Sequence, residues 1–450
     1  MIGRFAGDVV DQYGLEDPAD EEKPSREFRN GSPDSGALPL PDLARPHARP
    51  GHGGYRHHLR PAEHRDVARA RQRKLPRDRP ACRQRGAHPQ PRNSPDDSGL
   101  VRLEPRPRDR ADTHPRVPVT RTDVAEILQE IAVSGRRGDG PRCGELAGKL
   151  KGLGKESERN RRCIASGGAA RVLSASLSQL ARESIDASRS AVFQEILSAL
   201  TVFSPLDEES LRHIGSRGSL RSIVSILRNG DLAGRLSAVL VLKELVSSLH
   251  SEGIDAVART DGLSEALVKL IEKPISPQAT KVSLIATYYM VSSSNIAASK
   301  FVELGLVPLL LENLVDAEKS VCEKALGVLD GLFSCERGRE RGYDNALAVP
   351  VLVKKMFRVS DLATEFAVSA LWKLCRNYNK EAGKRGGDAG GCLNEALQVG
   401  AFQKLLLLLQ VGCSGSTKER ASDLLKILNG SRGSAECIES VDFKGLKRSF

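Results

Sequence analysis

Between Gly305 and Cys335 the sequence carries a pattern that cannot be satisfied in isolation. Val307, Leu310, Leu311 and Leu314 stand at i, i+3, i+4 and i+7, which places four apolar side chains on one stripe of a helix. A polar joint follows, from Asp316 to Ser320, and then the same offsets return at Ala325, Val328, Leu329 and Leu332. Two helices this short cannot hide both stripes against each other alone. Such a pair needs neighbours built the same way.

The neighbours are present. The first stripe recurs from Leu173, Leu220, Leu263, Val307, Val349 and Phe402, and the second from Phe193, Ala238, Val282, Ala325, Ala367 and Ala421. Paired starts lie 18 to 20 residues apart, and successive first stripes lie 42 to 53 apart. Gly218, Gly262, Gly305 and Gly400 stand just before first stripes, with Gly168 further out, and glycine turns a chain sharply without a Cβ penalty. Short apolar segments before them, such as Ile296 to Val302 and Leu393 to Val399, supply a small leading helix. A period near 42 with three helices per unit resembles the armadillo arrangement. The expected fold is all-α, a right-handed superhelical solenoid of about six armadillo units. An irregular helical bundle would not repeat matched offsets six times.

Residues 1–117 differ in kind. Seventeen of the 23 prolines and seven of the nine histidines lie at or before Pro118, and Arg outnumbers Lys there by 21 to 2. No apolar stripe of either period persists, so nothing offsets the entropy of ordering this arm, and it is expected to be disordered. Its arginines could meet phosphates, but no aromatics interleave them and acidic residues are frequent, so nucleic acid is not an expected partner. The net charge of +11 is spread along the chain, five in the arm and six beyond it, without a basic stripe. No run of about 18 apolar residues exists, so no membrane-spanning helix is expected. Nine cysteines without a CxxC pair, most on predicted helices, suit a reduced cytoplasmic or nuclear setting.

From Pro118 the character changes. Thr122 or Asp123 is expected to cap a helix carrying Val124, Ile127, Leu128 and Ile131 and stopping near Gly135. A second helix carries Leu146, Leu150 and Leu153. Residues 118–167 are read as an N-terminal helical cap, 168–432 as repeats and 433–450 as a tail. Between Asn379 and Gly391 five glycines predict a flexible surface loop.

The run from Val117 to Leu173, with "PVTRTDVAEILQEIA" and "RCGELAGKLKGLGKESERNRRCIASGGAARVL", resembles the plant U-box/armadillo proteins, and the resemblance extends through the repeats to residue 450. The family consists of ubiquitin ligases. The resemblance implies a U-box that recruits a ubiquitin-conjugating enzyme and an armadillo array that recognises the protein to be modified. As written, no U-box precedes the array. If the codons behind Leu43 to Ala62 are read one base later, synonymous choices permit a stretch resembling the U-box "DPVT…TGxTYDR". The same shift over Asp96 to Leu103 permits a stretch resembling the end of a U-box. Residues from about 38 to 115 are therefore read as an out-of-frame U-box. A stop codon in the shifted frame of the transcript would remove that reading.

A protein substrate is expected in the concave groove, lined by the last helix of each unit. The position five beyond the second-stripe start should face solvent there. It reads Ser198, Lys243, Thr287, Asp330, Trp372 and Lys426, with Arg376 one turn beyond Trp372. An exposed Trp beside an Arg is a composition favoured at binding hot spots, whereas the bland alternative packs Trp372 between units five and six. Lys243, Asp330, Trp372, Arg376 and Lys426 are the candidate partner-binding residues. An import receptor for basic peptides is disfavoured, because the repeated Trp and Asn ladders are missing and Lys243 and Lys426 would repel such cargo. No catalytic residue, cofactor or metal is expected. Cys322 and Cys375 sit on apolar stripes without a nearby His, and His213 and His250 are too few and too far apart for a metal.

Overall fold

The computed structural model describes residues 118–182, 187–385 and 391–435. The proposed out-of-frame U-box, the arm and the tail from 436 lie outside the described residues. Among the described residues there are twenty helices and no strand.

The helices fall into the expected triplets. Unit one is α3 (Glu158–Ser166), α4 (Ala169–Leu180) and α5 (Ala187–Val202); unit two is α6 (Glu208–Ile214), α7 (Arg217–Asn229) and α8 (Leu232–Ser248). Unit three is α9 (Ser251–Ala258), α10 (Leu263–Glu272) and α11 (Pro277–Ser293); unit four is α12 (Asn295–Glu303), α13 (Leu306–Asp316) and α14 (Lys319–Leu332). Unit five is α15 (Glu336–Tyr343), α16 (Ala348–Lys355) and α17 (Asp361–Arg385); unit six is α18 (Gly391–Gln398), α19 (Ala401–Val411) and α20 (Gly415–Ala435). Ahead of them, α1 (Arg121–Arg137) packs on α4 and α2 (Gly140–Glu156) packs on α5. The pair therefore takes the places of second and third helix in a unit without a first.

The stripes do what their spacing requires. Leu310, Leu329 and Leu371 are all within 1% of complete burial. Gly168, Gly262, Gly305 and Gly400 take φ of 83°, 79°, 78° and 81°, the left-handed turn between first and second helices. Gly218 departs from the expected role. It lies inside α7, which Ser216 caps, and a Cβ there would come within 2.8 Å of the Ala181 carbonyl oxygen. Unit five turns without glycine, at Leu347. The first helix also starts earlier than expected. Thr120 is its cap, in a reciprocal box with Asp123, and the helix continues past Gly135 to end at Gly138, φ 76°.

Two expectations are corrected further along. Of the stretch expected to loop from Asn379, residues to Arg385 continue α17, because Glu381 is buried there against the guanidinium of Arg339, 2.6 Å away. In unit six the buried set is Ala401, Leu405 and Leu408 rather than the stripe from Phe402, and Leu406 is left 43% exposed. No further unit follows among the described residues to cover it.

Candidate protein-binding surface

Each third helix lies along the next, from α2 through α5, α8, α11, α14 and α17 to α20, and from unit one onward these contacts are far more extensive than those between successive second helices. The array therefore curves with its third helices on the inside. This inner face is where extended partners of a helical solenoid are held.

Midway along, the face is closed. Gly327 of α14 lies beneath the rings of Tyr288 from α11 and Phe366 from α17, and a Cβ on it would reach within 3.2 Å of both. The two rings meet edge to face over it, centroids 5.7 Å apart, so side chains of units three and five touch across unit four. Both are buried, and burial raises the Tyr288 phenol to about 12. Thr287, expected at solvent, is completely buried, because α11 is enclosed on every side from Val282 to Val291; its hydroxyl donates to the Ser283 carbonyl at 2.8 Å. The pinch divides the inner face into two stretches.

The N-terminal stretch holds Ser198 and Lys243, both half-buried. Its carboxylates are engaged. Glu195 is 2.5 Å from the Lys151 ammonium, and Glu244 accepts from the Ser204 hydroxyl at 2.6 Å and the Leu206 N–H at 2.5 Å.

The C-terminal stretch gathers the other candidates. The ammonium of Lys373 sits 2.7 Å from an Asp330 carboxylate oxygen, and donates to the Asp330 carbonyl at 2.6 Å and the Ser334 hydroxyl at 3.0 Å. Trp372 is half-buried between units five and six, its indole N–H donating to Asp423 at 2.7 Å. The Arg376 guanidinium lies 4.7 Å from the ring centroid and that of Arg420 lies 5.9 Å away, so the ring is flanked by two cations. Lys426, one turn beyond Asp423, is exposed. Trp372 and Arg376 thus stand together, Asp330 is held by the adjoining Lys373 and Lys426 lies one turn from Asp423, while Lys243 stands apart beyond the pinch. Lys373, Arg420 and Asp423 were missed because a single helical offset samples only one row of a face two rows wide. The neighbouring offset, six beyond each stripe start, contains Lys373.

Cys322 is buried, its thiol donating to the Ala317 carbonyl at 3.1 Å. The thiol of Cys375 is held well above the usual thiol range, first by its hydrogen bond with Cys392 and then by burial. The Lys355 ammonium donates to the Cys322 sulfur at 3.3 Å, and Cys375, with its thiol raised, is not an activated thiolate. Among the described residues no three His, Cys, Asp or Glu side chains are placed to hold a metal, and no helix is long and apolar enough to cross a membrane.

Three-helix units turning on left-handed glycines, with their third helices stacked along an inner face, make this an armadillo-repeat protein. Residues 123–447 match the family described as the plant U-box protein ARM repeat region, and the chain belongs to that family. It is similar to U-box domain-containing protein 21 of Arabidopsis thaliana, 40% identical over 338 residues that cover 75% of this chain and 74% of the relative. It is also similar to the E3 ubiquitin-protein ligase PUB23 of Arabidopsis thaliana, 26% identical over 319 residues, 70% and 72% of the two chains. The fold is shared with the crystal structure of an engineered protein, TM-score 0.52 at 21% identity, covering 68% of each chain.

Proposed function

We propose that this chain is the substrate-recognition part of a plant U-box-type ubiquitin ligase, and that its protein substrate is held on the C-terminal stretch of the inner face. The observation that carries the reading is the cluster of Trp372, Arg376, Arg420 and Lys426 on an armadillo array of the plant U-box family. A half-buried indole between guanidinium groups presents a rigid apolar edge beside fixed positive charge, the composition that anchors protein partners. Asp423 and Asp330 offset part of that charge, so a partner segment pairing an apolar side chain with an acidic one fits best.

Ubiquitin transfer requires a U-box to bring the conjugating enzyme, and the proposed frame shift would remove it. The alternative reading, an armadillo adaptor without ligase activity, differs only in that domain. Reading the transcript across residues 38–115 separates the two.

The functional test uses the chain as written and the frame-restored chain, each with activating enzyme, conjugating enzyme and ubiquitin. The restored chain should ubiquitinate itself and the chain as written should not. Arg376→Glu combined with Lys426→Glu, both at exposed positions, should leave self-modification intact while cutting modification of a bound substrate about tenfold or more. Transfer by the chain as written would overturn the account of the arm. Unchanged substrate modification in the double variant would move the binding surface elsewhere.

A further inference from the structure

The outside of the array carries a second feature that the inner face does not explain. Between the first helices of units two and three, α6 and α9, lies a cleft of about 1100 Å³. Its floor is apolar: Leu220, Leu245 and Val257 are buried, with Leu211 and Leu249 half-buried at the walls. The rim is basic, with Arg212, Arg217, Arg221, His250 and Arg259 against Glu208 and Asp261. Glu208 is spent on Arg212, 3.3 Å away. Arg217, Arg221 and Arg259 are exposed and make no ion pair among the described residues.

The placement follows from the sequence. Arg217 and Arg221 are i and i+4 on α7, so both project on one side of that helix. Arg259 is the C-cap of α9, and His250, the N-cap of the same helix, also lines the cleft. Three uncommitted guanidinium groups around an oily floor call for a ligand that is apolar and strongly anionic within a few ångströms.

We infer that this cleft binds a phosphorylated peptide segment in which an apolar residue lies next to phosphoserine or phosphothreonine. A phosphate brings about −1.5 to −2 charge and three acceptor oxygens in one residue, which matches several arginine forks at once. A single carboxylate brings one charge and would leave the rim positive. No Phe, Tyr or Trp lines the cleft, and its one imidazole, His250, stands at the rim, so a run of bases has no stacking platform on the floor. The apolar floor is recessed and cannot insert into a lipid surface. Since the cleft lies in units two and three and the substrate surface in units four to six, the two proposals stand or fall separately.

The test is retention of peptide pools on the full chain. Three pools of nine-residue peptides share degenerate flanks and carry phosphoserine, glutamate or serine at the centre. The phosphoserine pool should be retained at least about tenfold over the serine pool, with Leu, Ile and Phe enriched beside the centre, and retention should weaken with salt. Arg217→Glu with Arg221→Glu should abolish the preference; Arg259→Ala, at a helix end, should reduce it. Arg162→Glu, on the 81%-exposed side chain of unit one, should leave it unchanged. Melting curves of each variant establish that it is folded. Equal retention of the phosphoserine and glutamate pools would replace phosphate recognition by simple acidic docking and overturn the inference. So would equal retention of the serine pool, or a preference that survives the double charge reversal.

Discussion

Unit four and unit six are cut from one pattern and end in different states. Both open their second helix on a left-handed glycine, Gly305 at φ 78° and Gly400 at φ 81°. Six residues on, each places a leucine: Leu311, fully buried, and Leu406, 43% exposed. Unit four is covered by units three and five, so even Lys324 is 8% exposed there, whereas among the described residues unit six is covered on one side only. In a stacked array burial belongs to the neighbour as much as to the helix itself.

The comparison can be broken most sharply at ion pairs. Arg339 and Glu381 are 12% and 8% exposed at their side chains, while Arg337 and Glu303 are 61% and 60% exposed. Arg339→Ala strands a buried carboxylate and should cost about 3–5 kcal/mol in urea unfolding. Arg337→Ala should cost at most about 1 kcal/mol. Similar losses would mean that covering a site does not set its energetics.

The leucine pair comes next. Leu311→Ala should cost about 2–5 kcal/mol. Leu406→Ala, already open to water, should cost under about 1 kcal/mol. If Leu406→Ala proves as damaging as Leu311→Ala, unit six is covered in solution by something the described residues do not include.

Glycines give a smaller contrast with opposite signs. Gly327→Val forces a side chain between Tyr288 and Phe366 and should cost about 1–3 kcal/mol. Gly152→Ala, in α2 with nothing within 4 Å of the new Cβ, should raise stability by about 0.5–1 kcal/mol. A neutral Gly327→Val, judged by the shift in melting temperature, would show that the ring contact is dispensable.

The smallest effect is on the acid side. Hydrogen bonding from Ser210 holds the Asp207 carboxyl below its usual range, with Arg171 adding to it. Because the folded value is depressed, this contribution is present above the ordinary carboxylate pKa near ~4 and is lost as pH falls through the folded value. Asp207→Asn keeps the helix cap and should flatten the fall in stability in that window. An acid limb that does not change would locate the sensitivity at other carboxylates.

The fold was legible because one offset pattern, repeated six times, leaves stacked helices as the only economical way to bury Val307 to Leu332 and its copies. Boundaries were less so. Gly218 reads like the turning glycines and instead marks close approach to Ala181, a distinction of distance that composition does not carry. The glycines after Asn379 suggested a loop, but the helix is extended to meet a partner, Arg339, some forty residues earlier in the chain. The candidate surface was half visible. Trp372, Arg376 and Asp330 emerged from periodicity, while Asp423 and Lys373 became evident only when adjacent units were set side by side. The arginine cleft escaped notice because its members come from three separate helices and the turn after the last.

A coil of stacked units ordinarily flexes like a spring, each turn free to open against the next. The ring contact over Gly327 acts as a clasp between alternate turns. Stretching or unwinding this stretch must part Tyr288 from Phe366 before unit four can move alone.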